Sequence, residues 1–430
     1  MIAIIGAGIS GLSLAHFLEK EGKEYMLFEK NDRVGGVIES KTKDGFVFDL
    51  GPNSLVVNAD VEELISDLNL QKMVREADLS SKKRYLVDEG KIQILPSSPL
   101  GIVKGKLLSF SSKVSIFKEL LGWYKKSKNE DETVEHFFKR HFTQEITDKL
   151  VFAFVNGIYS SNPEDLDIEI TFPSLVTFEK KYKSILKGLI KEKSLERMKT
   201  VNFSGGLATL TNAILDKIKN LQLNTVITKI EKHRDSFELT YKKGNNEFKV
   251  HVDKIVFSCP APVVGELMKG ISRQLLSDFE AVSYLSISTV STVYPKNKTK
   301  KALDGFGALR TSNSEALVSG TVWSSNVFPY KSDDDHHLLV SMVKADLSKE
   351  ELLAQVDKEQ RELYDIDSYA ISSEVKQWKG ALPVYNTDLK KLQKKIRPLN
   401  KEGIFFHSNW MDGISIKDCI SKSKKISIIL

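Results

Sequence analysis

The first thirty residues carry an apolar run, an amphipathic stretch and a second apolar run, in that order. Ile2–Ile5 predicts a short buried strand, residues 10–21 space their apolar positions as a helix does and stop at Gly22, and Tyr25–Phe28 predicts a second strand. This order is typical of a βαβ unit.

The pattern of residues 113–193 is mostly helical. Apolar side chains at 114, 117, 121 and 124 recur at intervals of three or four with lysines between them, which predicts an amphipathic helix. A further helix is predicted to run from Pro173 towards Ile190.

From residue 223 the apolar period becomes two, which predicts strands over 237–241 and 248–252. The remaining elements predicted from the same patterns are a strand-rich stretch over 284–343, a helix over 349–363, a buried strand over 404–406 and a final helix over 415–425. Strand–helix units at both ends indicate a nucleotide-binding domain that is interrupted by segments of a substrate domain.

Composition narrows the class of protein. The chain has 430 residues, 41% hydrophobic and 28% charged, which excludes collagen-like, disordered and disulfide-scaffold proteins and predicts two or three structural units. Its two cysteines, Cys259 and Cys419, form no C-x-x-C, so structural zinc, an iron–sulfur cluster and a disulfide framework are not expected, and two free thiols fit a reducing compartment.

The net charge of +6 is too small to indicate a nucleic-acid-binding protein. Residues 96–128 hold seven lysines against one acid, Glu119, so this basic segment accounts for the whole net charge. No apolar run of 18 residues occurs, which argues against a membrane span, and Met1 leads directly into the first predicted strand, so no signal peptide is expected.

Residues 6–11 (GAGISG) form a G-x-G-x-x-G motif between the first strand and the first helix. Gly6 permits the tight turn, Gly8 lets the backbone approach a pyrophosphate, and Gly11 lets the helix pack against the strand. Glu29 stands 18 residues after Gly11, where an acid accepts hydrogen bonds from a ribose. We predict a dinucleotide site; the alternative is a turn whose glycines serve packing alone.

A second glycine turn follows the acid, in Arg33-Val34-Gly35-Gly36, and is expected to bring further amides and an arginine near the pyrophosphate. This Arg-x-Gly-Gly pattern resembles FAD-binding flavoproteins of the amine-oxidase type rather than NAD dehydrogenases. The resemblance implies FAD as the cofactor, bound non-covalently, because such proteins place a non-bonded cysteine at the position of Cys419.

Further motifs, in order along the chain, resemble those of protoporphyrinogen oxidases. They are 44–54 (DGFVFDLGPNS), 83–85 (KRY) with 95–96 (LP), 154–159 (FVNGIY) with 162–166 (NPEDL), 204–207 (SGGL), 378–385 (WKGALPVY) and 412–420 (DGISIKDCI). The resemblance implies the oxidation of protoporphyrinogen IX to protoporphyrin IX, the penultimate step of haem biosynthesis, with FAD reoxidised by O2 to give H2O2. Such chemistry resides in the cofactor, so it needs an apolar slot and a cation rather than a catalytic triad or a metal.

The same resemblance implies roles in substrate binding. Arg84 matches the propionate-binding arginine, since a forked guanidinium suits a carboxylate, and its alternative is a solvated charge run. Val322 matches an apolar residue packed on the macrocycle, and Met342 stands where plant enzymes have a stacking phenylalanine; for both, a role in the core alone is the alternative. Met342 and Lys344-Ala345, the latter in place of a Gly-Gly pair, depart from the family pattern.

Other residues are implied beside the cofactor. These are Gly51, Pro52 and Asn53 beside the flavin, Asn156 and Gly157 with their backbone near the reacting centre, Val226 against the adenine, and Asn409, Gly413, Ser415 and Ile416 where a helix N-terminus faces the flavin's N1–O2 edge.

The implied fold is α/β, with a Rossmann-like FAD-binding domain interrupted by an α+β substrate domain. Expected boundaries are 1–80, 200–275 and 400–430 for the FAD-binding domain, 81–199 for a helical, membrane-facing region and 276–399 for a substrate-binding sheet. Expected partners are a porphyrinogen, O2, a membrane surface and a second copy in a homodimer, with no nucleic acid. The expected location is the cytoplasm, attached peripherally to the inner face of the cell membrane; a core-facing helix with a solvated basic side is the alternative for the segment near residue 114.

Three rival functions stay open, and the nearest of them shares nearly all motifs. Oxidation of coproporphyrinogen III, with four propionates, would be favoured by pocket cations beyond Arg84. A flavin-dependent isomerase, such as a sugar-nucleotide mutase, would need a second diphosphate site, and a non-catalytic porphyrin or flavin carrier would fit the departures at Met342 and Lys344. His336-His337, after three aspartates, resembles a metal tract, but a solvated turn before a strand is favoured because no further ligands stand at useful spacing.

Overall fold

A computed structural model describes residues 1–96, 99–127, 129–192, 198–314, 316–411 and 413–430, with the backbone alone for Pro99 and Leu100. Lys128 of the basic segment, Lys193 at the end of the predicted helical stretch and Asp412 of the last motif lie outside the described residues.

A five-stranded parallel sheet is assembled from distant parts of the chain. Its order is Leu221–Gln222, Tyr25–Phe28, Ile2–Ile5, Lys254–Phe257 and Ile404–Phe406. Two helices, Ile9–Lys20 (the first helix) and Ile416–Ile429 (the last helix), pack side by side on one face. The α/β class and the predicted opening βαβ unit are confirmed.

The other face of the parallel sheet packs against a three-stranded antiparallel sheet of Thr225–Lys232, Phe237–Lys243 and Asn246–Val252. Phe237 and Leu239 are fully buried while the residues between and after them are more exposed. The period of two predicted for this stretch is therefore confirmed.

The large sheet has seven strands, in the order Ser372–Pro383, Tyr284–Pro295, His336–Val343, Val318–Trp323, Gly307–Arg310, Arg84–Asp88 and Lys91–Leu95. Helix Lys349–Tyr364 covers one face, the back face, where Leu352 and Val356 pack on Val343. The last two strands lie in the segment 81–199 that we expected to be helical. That expectation was wrong for these residues because Arg84–Asp88 pairs with Gly307–Arg310, a partner more than two hundred residues away.

The remaining strands are Ser40–Lys43 paired with Phe46–Asp49, and Leu55–Val56 and Val74–Glu76 on either side of Thr200–Phe203. The remaining helices are Ala59–Asp67, Pro99–Lys104, Phe110–Leu120, Val134–His141, Gln144–Ile146, Phe152–Tyr159, Ile168–Thr171, Pro173–Tyr182, Ile185–Lys191, Ala208–Leu215, Ala261–Met268, Leu276–Glu280, Ser324–Val327 and Thr387–Ile396. Short 3-10 or π turns occur at Leu79–Lys82, Thr147–Val151, Pro163–Asp165, Arg273–Leu275, Lys296–Lys298, Pro329–Lys331 and Arg397–Glu402.

Two helix predictions need correction. The helix predicted from Pro173 towards Ile190 is broken, because Lys183 adopts a left-handed conformation (φ +55°) and Ser184 caps a second helix. The amphipathic helix ends at Leu120, where Gly122 (φ +80°) turns the chain, so Tyr124 is not on its stripe. No helix within the described ranges is long and apolar enough to cross a membrane.

A buried ion pair joins the two parts of the molecule. Asp49, next to the parallel-sheet region, pairs with Lys331, which precedes the third strand of the large sheet, and both side chains are fully buried. Asp49 also accepts hydrogen bonds from the Leu207 amide at 2.8 Å and from Asn202 Nδ2 at 2.7 Å. These bonds satisfy a carboxylate whose burial would otherwise be costly.

Candidate active site

Predicted site residues gather at one edge of the parallel sheet. Because the strands are parallel, their carboxyl ends meet there, and Gly6, Glu29 and Ser258 each follow directly from one of them. Asn409 follows a fourth strand after two intervening residues. In open α/β sheets this edge is where ligands bind.

The glycines of residues 6–11 differ in what surrounds them. Gly6 has φ +108°, and a Cβ there would lie 2.5 Å from the Ser258 carbonyl oxygen. A Cβ on Gly11 would lie 2.0 Å from the Gly6 carbonyl oxygen, so both positions need glycine for packing. A Cβ on Gly8, in contrast, would meet no described atom within 4 Å, so this glycine borders open space at the start of the first helix.

The second glycine turn lies against the first. The Gly35 amide donates to the Ala7 carbonyl at 2.8 Å, and a Cβ on Gly36 would come within 3.3 Å of the Gly8 Cα. The Arg33 guanidinium donates to the Gly36 carbonyl at 2.7 Å and forms an ion pair with Glu39 at 3.1 Å. Arg33 thus holds the shape of the turn that faces the open space.

Glu29 is buried where the ribose-binding acid was predicted. Its carboxylate accepts hydrogen bonds from the Ala7 amide and the Asn31 amide, both at 2.9 Å, which tie it to the glycine loop. The Thr225 amide donates to the Glu29 carbonyl at 2.9 Å, so the strand that begins there brings Val226, largely exposed, beside this acid.

The last helix begins beside the first. Ser423 Oγ donates to the Ser10 carbonyl at 3.0 Å, and the Asp418 amide donates to Ser415 Oγ at 3.1 Å, which caps the helix that starts at Ile416. Gly413 has φ +132°, and a Cβ there would clash with the Asp418 side chain. The two helix N-termini therefore point their positive dipole ends to the same edge of the sheet.

The loop at 51–53 connects this edge to the large sheet. The Leu50 carbonyl accepts hydrogen bonds from Thr289 Oγ1 and, at 2.7 Å, from Trp378 Nε1, and both donors belong to the large sheet. A Cβ on Gly51 would lie 1.9 Å from the Val37 carbonyl oxygen, so only glycine allows this approach. Pro52 and Asn53 follow directly; Asn53 also donates to the Gly51 carbonyl at 3.2 Å.

Strand register places the predicted substrate residues on one face of the large sheet, the front face, opposite the covering helix. Val322 pairs with Val340, Gly320 with Met342, and Met342 with Thr289, and residues directly opposite or two apart share a face. Val322 and Met342 are both half-buried. The front face therefore meets the loop at 51–53 through Thr289.

Helix Phe152–Tyr159, the crossing helix, lies over the front face. A Cβ on Gly157 would lie 2.9 Å from Leu309 Cδ2, and Leu309 pairs with Gly320. Asn156 precedes Gly157 and is buried. The structure thus brings Asn156 and Gly157 to the same face as Val322 and Met342.

Arg84 begins the strand that pairs with Gly307–Arg310 and is exposed. Leu86, two residues on, pairs with Leu309, so Arg84 belongs to the front face. Its guanidinium carbon lies 5.0 Å from the centre of the Phe306 ring. Arg84 stands at the strand end nearest Val322, at one corner of the front face.

The residues fit a large dinucleotide cofactor. Among the described residues, two buried polar atoms at this edge, Asn53 Oδ1 and Ser258 Oγ, have no hydrogen-bond partner, and neither has Asn156 Oδ1 on the crossing helix. Buried polar atoms are nearly always satisfied, so these atoms indicate a missing polar partner. Together with the open space at Gly8 and the two helix N-termini, they form a site for a phosphate-bearing ligand with polar ring edges.

Neither cysteine is activated. Burial raises the pKa of the Cys259 thiol to about 12 and that of the Cys419 thiol to about 11, so both are protonated near neutral pH. A protonated, buried thiol is a poor nucleophile.

His336 and His337 are the first two residues of a strand and are half-buried, so the prediction of a solvated turn before the strand was wrong for them, because both pair with the strand Tyr284–Pro295. His336 Nδ1 lies 2.6 Å from Asp333 Oδ1. Burial lowers the pKa of His337 to about 4.

Sequence reasoning missed several residues that shape the site. Thr289, Leu309 and Ser258 lie on strands or strand ends whose neighbours are set only by sheet pairing. A cross-strand cluster of His233, Glu238 and His251 also went unseen, with potential ligand atoms within 4.8 Å of one another. Glu238 and His251 are side by side because their two strands pair in that register. Alternation along each strand does not predict the register.

Known proteins match over almost the whole chain. A protoporphyrinogen oxidase 2 of Arabidopsis thaliana is 28% identical, covering 99% of this chain and 92% of its own length. A coproporphyrinogen III oxidase of Bacillus subtilis is 23% identical, covering 98% and 96%.

Solved structures share the fold at lower identity. A crystal structure from Exiguobacterium sp. 255-15 has a TM-score of 0.82 with 19% identity and covers 100% of this chain and 98% of its own. Reduced UDP-galactopyranose mutase has a TM-score of 0.76 with 16% identity and covers 99% and 94%. At these identities the likeness shows the fold alone, which oxidases and a mutase share.

The sequence profile of one family, described as flavin containing amine oxidoreductase, matches residues 9–425. That range includes the last three residues of the glycine motif, Glu29, the loop at 51–53 and the start of the last helix. The predicted resemblance to amine-oxidase-type flavoproteins is confirmed, and the chain, a flavin-dependent oxidoreductase, belongs to the flavin containing amine oxidoreductase family.

Proposed function

We propose that this oxidoreductase converts a porphyrinogen to the porphyrin of haem biosynthesis, with protoporphyrinogen IX as substrate and O2 as electron acceptor. Each of three two-electron steps would remove two hydrogens from the substrate and reduce one O2 to H2O2. The main support for the proposal is the position of the front face of the large sheet next to the loop at 51–53. Its half-buried Val322 and Met342 form an apolar surface directly beside the cofactor loop at 51–53.

The two glycine turns and Glu29 would hold the cofactor, which would supply hydride acceptance from a methylene bridge of the macrocycle. The chain's own residues bind and orient the substrate. Val322 and Met342 pack against the apolar ring, and the crossing helix closes the slot from the other side, which excludes water from the reacting carbon. Asn156 Oδ1, buried and without a partner among the described residues, is available to accept a hydrogen bond from a pyrrole N–H.

Coproporphyrinogen III is a second candidate substrate, and a specific observation favours it. Lys344 lies two residues after Met342 and directly follows the same strand, so the front face has a cation besides Arg84. Full-length similarity to the Bacillus subtilis coproporphyrinogen III oxidase supports the same substrate.

An oxidase assay with both substrates tests the proposal. Purified, FAD-loaded protein should raise porphyrin fluorescence well above the rate of spontaneous oxidation and release three H2O2 per porphyrin. If Gly8→Ala protein binds less FAD, its rate of porphyrinogen oxidation should fall in proportion to the fraction of protein that holds FAD. A mutase would consume no O2, and a carrier would leave the spontaneous rate unchanged; either result overturns the proposal.

We also propose that FAD is bound non-covalently. The protonated thiols of Cys259 and Cys419 support this, because attachment through sulfur needs a thiolate. Acid precipitation should release all the flavin into solution. Flavin retained in the pellet would contradict the proposal.

Attachment to the inner face of a membrane from the cytoplasm is a further part of the proposal. In helix Phe110–Leu120 the usual arrangement is inverted: Glu119 is fully buried, whereas Phe110 is 83% and Phe117 is 62% exposed. Trp123, 67% exposed, follows directly. Glu119 accepts hydrogen bonds from Ser184 Oγ at 2.9 Å and the Ile185 amide at 2.6 Å, so it anchors the helix.

The core-facing alternative does not explain this exposure. Exposed aromatic side chains beside Lys118, Lys125 and Lys126 suit an anionic lipid surface, at about 1 kcal/mol for each lysine. Porphyrinogens partition into lipid, so attachment would also shorten the path of the substrate. Association into a homodimer stays a prediction.

Liposome flotation tests the attachment. Replacing these three lysines with glutamine should reduce flotation with anionic vesicles, and so should Phe117→Ser with Trp123→Ser. A control with three exposed lysines elsewhere, Lys358, Lys391 and Lys394, changed to glutamine should float as wild type does. Equal flotation with neutral vesicles, or none with anionic ones, would contradict membrane attachment.

A further inference from the structure

Lys344 is a half-buried cation on the front face. It follows strand His336–Val343 directly, and it lies two residues after Met342, so backbone alternation places both on the same face. A second observation agrees: the nearby acid whose charge acts on Lys344 is Asp165, in the turn Pro163–Asp165 that follows the crossing helix over this face.

The Lys344 ammonium has no ion-pair partner within 4.0 Å among the described residues. Burial lowers the pKa of Lys344 below its ordinary value. The negative charge of Asp165, which makes no ion pair with Lys344, acts in the opposite direction but does not cancel this effect. A half-buried ammonium without a partner is unfavourable, and a carboxylate brought by a ligand would relieve that cost.

Arg84 and Lys344 stand at opposite corners of the front face. Arg84 is level with Gly307, which pairs with Val322, and Val322 pairs with Val340. Lys344 lies four residues further along the strand, about 13 Å at 3.3 Å per residue, and three strands across, about 14 Å at 4.8 Å per strand. Both side chains are long enough to reach inwards over the apolar surface between them.

We propose that Lys344 is a second carboxylate-binding residue of the substrate cleft, which together with Arg84 holds a tetrapyrrole that carries carboxylates on opposite edges. This inference rests on the proposed function. It assigns a preference within it: coproporphyrinogen III has propionates on both edges of the macrocycle, whereas protoporphyrinogen IX has its two propionates on one edge. Lys344 would therefore favour the substrate with four propionates.

Binding of the product porphyrins to FAD-loaded protein tests this without relying on turnover. Porphyrin fluorescence is titrated with wild type, Lys344→Gln and Lys344→Arg, using coproporphyrin III, protoporphyrin IX and the tetramethyl ester of coproporphyrin III. Lys358→Gln, on the helix that covers the back face, is the matched control for the loss of one charge.

Lys344→Gln should weaken coproporphyrin III binding about tenfold, at the low end for a hydrogen bond to a charged group because the site is half-buried. Binding of protoporphyrin IX and of the ester should change less than twofold. Lys344→Arg should retain tight binding, and Lys358→Gln should match wild type. FAD content and melting temperature verify the fold of each variant, and Lys344→Met replaces Lys344→Gln if the latter is unstable.

Equal weakening of the acid and the ester would overturn the proposal, because Lys344 would then act through packing, and so would unchanged binding of coproporphyrin III. An oxidase assay run in parallel distinguishes failure of the proposed oxidase function from failure of carboxylate binding by Lys344. If the wild type oxidises neither porphyrinogen, the proposed function fails, while the ester comparison still decides whether Lys344 holds a carboxylate.

Discussion

Replacing Gly8 with alanine adds one methyl group, which should weaken cofactor binding without weakening the fold. Gly8 has φ −70° and ψ 179°, which any residue adopts, and an added Cβ would meet no described atom within 4 Å. Gly8→Ala should therefore leave the flavin-free protein as stable as wild type, or raise its free energy of unfolding by about 0.4–1 kcal/mol, because alanine has less freedom in the unfolded chain.

The same methyl group should obstruct the cofactor. It would project into the open space at the N-terminus of the first helix, where the amides would face the pyrophosphate of a bound FAD. Loss of one hydrogen bond to a charged group costs about 1.5–3 kcal/mol, so the Kd for FAD should rise about ten- to a hundredfold. Gly11→Ala provides the contrast: its Cβ would lie 2.0 Å from the Gly6 carbonyl oxygen, so the flavin-free protein itself should lose about 1–3 kcal/mol of stability.

Two measurements on flavin-free protein check this reasoning: FAD titration followed by flavin fluorescence, and urea unfolding. Gly8→Ala should change the first and not the second, and Gly11→Ala should change both. An unaltered FAD affinity in Gly8→Ala, or a loss of more than about 1 kcal/mol in its stability, would refute the assignment of this space to the pyrophosphate.

Three further predictions concern charged groups. Asp49→Asn leaves Lys331 buried without its partner, so thermal or urea unfolding should reveal a loss of about 3–5 kcal/mol, and the double variant Asp49→Asn, Lys331→Met should recover part of it. Although burial acts to raise the pKa of Glu179, hydrogen bonds from Arg140 hold it at about 2; the folded pKa is depressed, so this stabilisation is complete above about pH 4.5 and is lost as the pH falls towards 2. In Glu179→Gln the urea concentration at the unfolding midpoint should therefore fall less between pH 6 and pH 3 than it does in the wild type. The same pH dependence in both proteins would contradict the ion pair. Arg84→Ala should raise the porphyrinogen KM about tenfold with little loss of bound FAD, and a wild-type KM would reduce Arg84 to a surface charge.

Local patterns in the sequence were sufficient for the cofactor edge. The tight turn at Gly6, the helix start after Gly8 and the acid at Glu29 depend on backbone conformations and strand ends within one βαβ unit. Such features follow from neighbouring residues, so spacing alone predicts them.

The substrate side depended on contacts that no local pattern records. Arg84–Asp88 became a strand of the large sheet because Gly307–Arg310 offered its backbone groups, and that pairing put Arg84 on the same face as Val322. The stripe predicted near residue 114 was also decided by tertiary structure, since Glu119 found buried donors around Ser184 and turned Phe117 outwards.

The sequence by itself determined that a glycine turn of the phosphate-binding pattern, an acid at the end of the next strand and a second glycine turn occur in the order of a flavoprotein. Only the tertiary structure decided that Met342 and Lys344 share a face with Arg84, because side-chain direction on a strand depends on register, and register depends on partners distant along the chain. The meeting of the front face with the loop at 51–53 is therefore a property of the pairing of strands, not of any one motif.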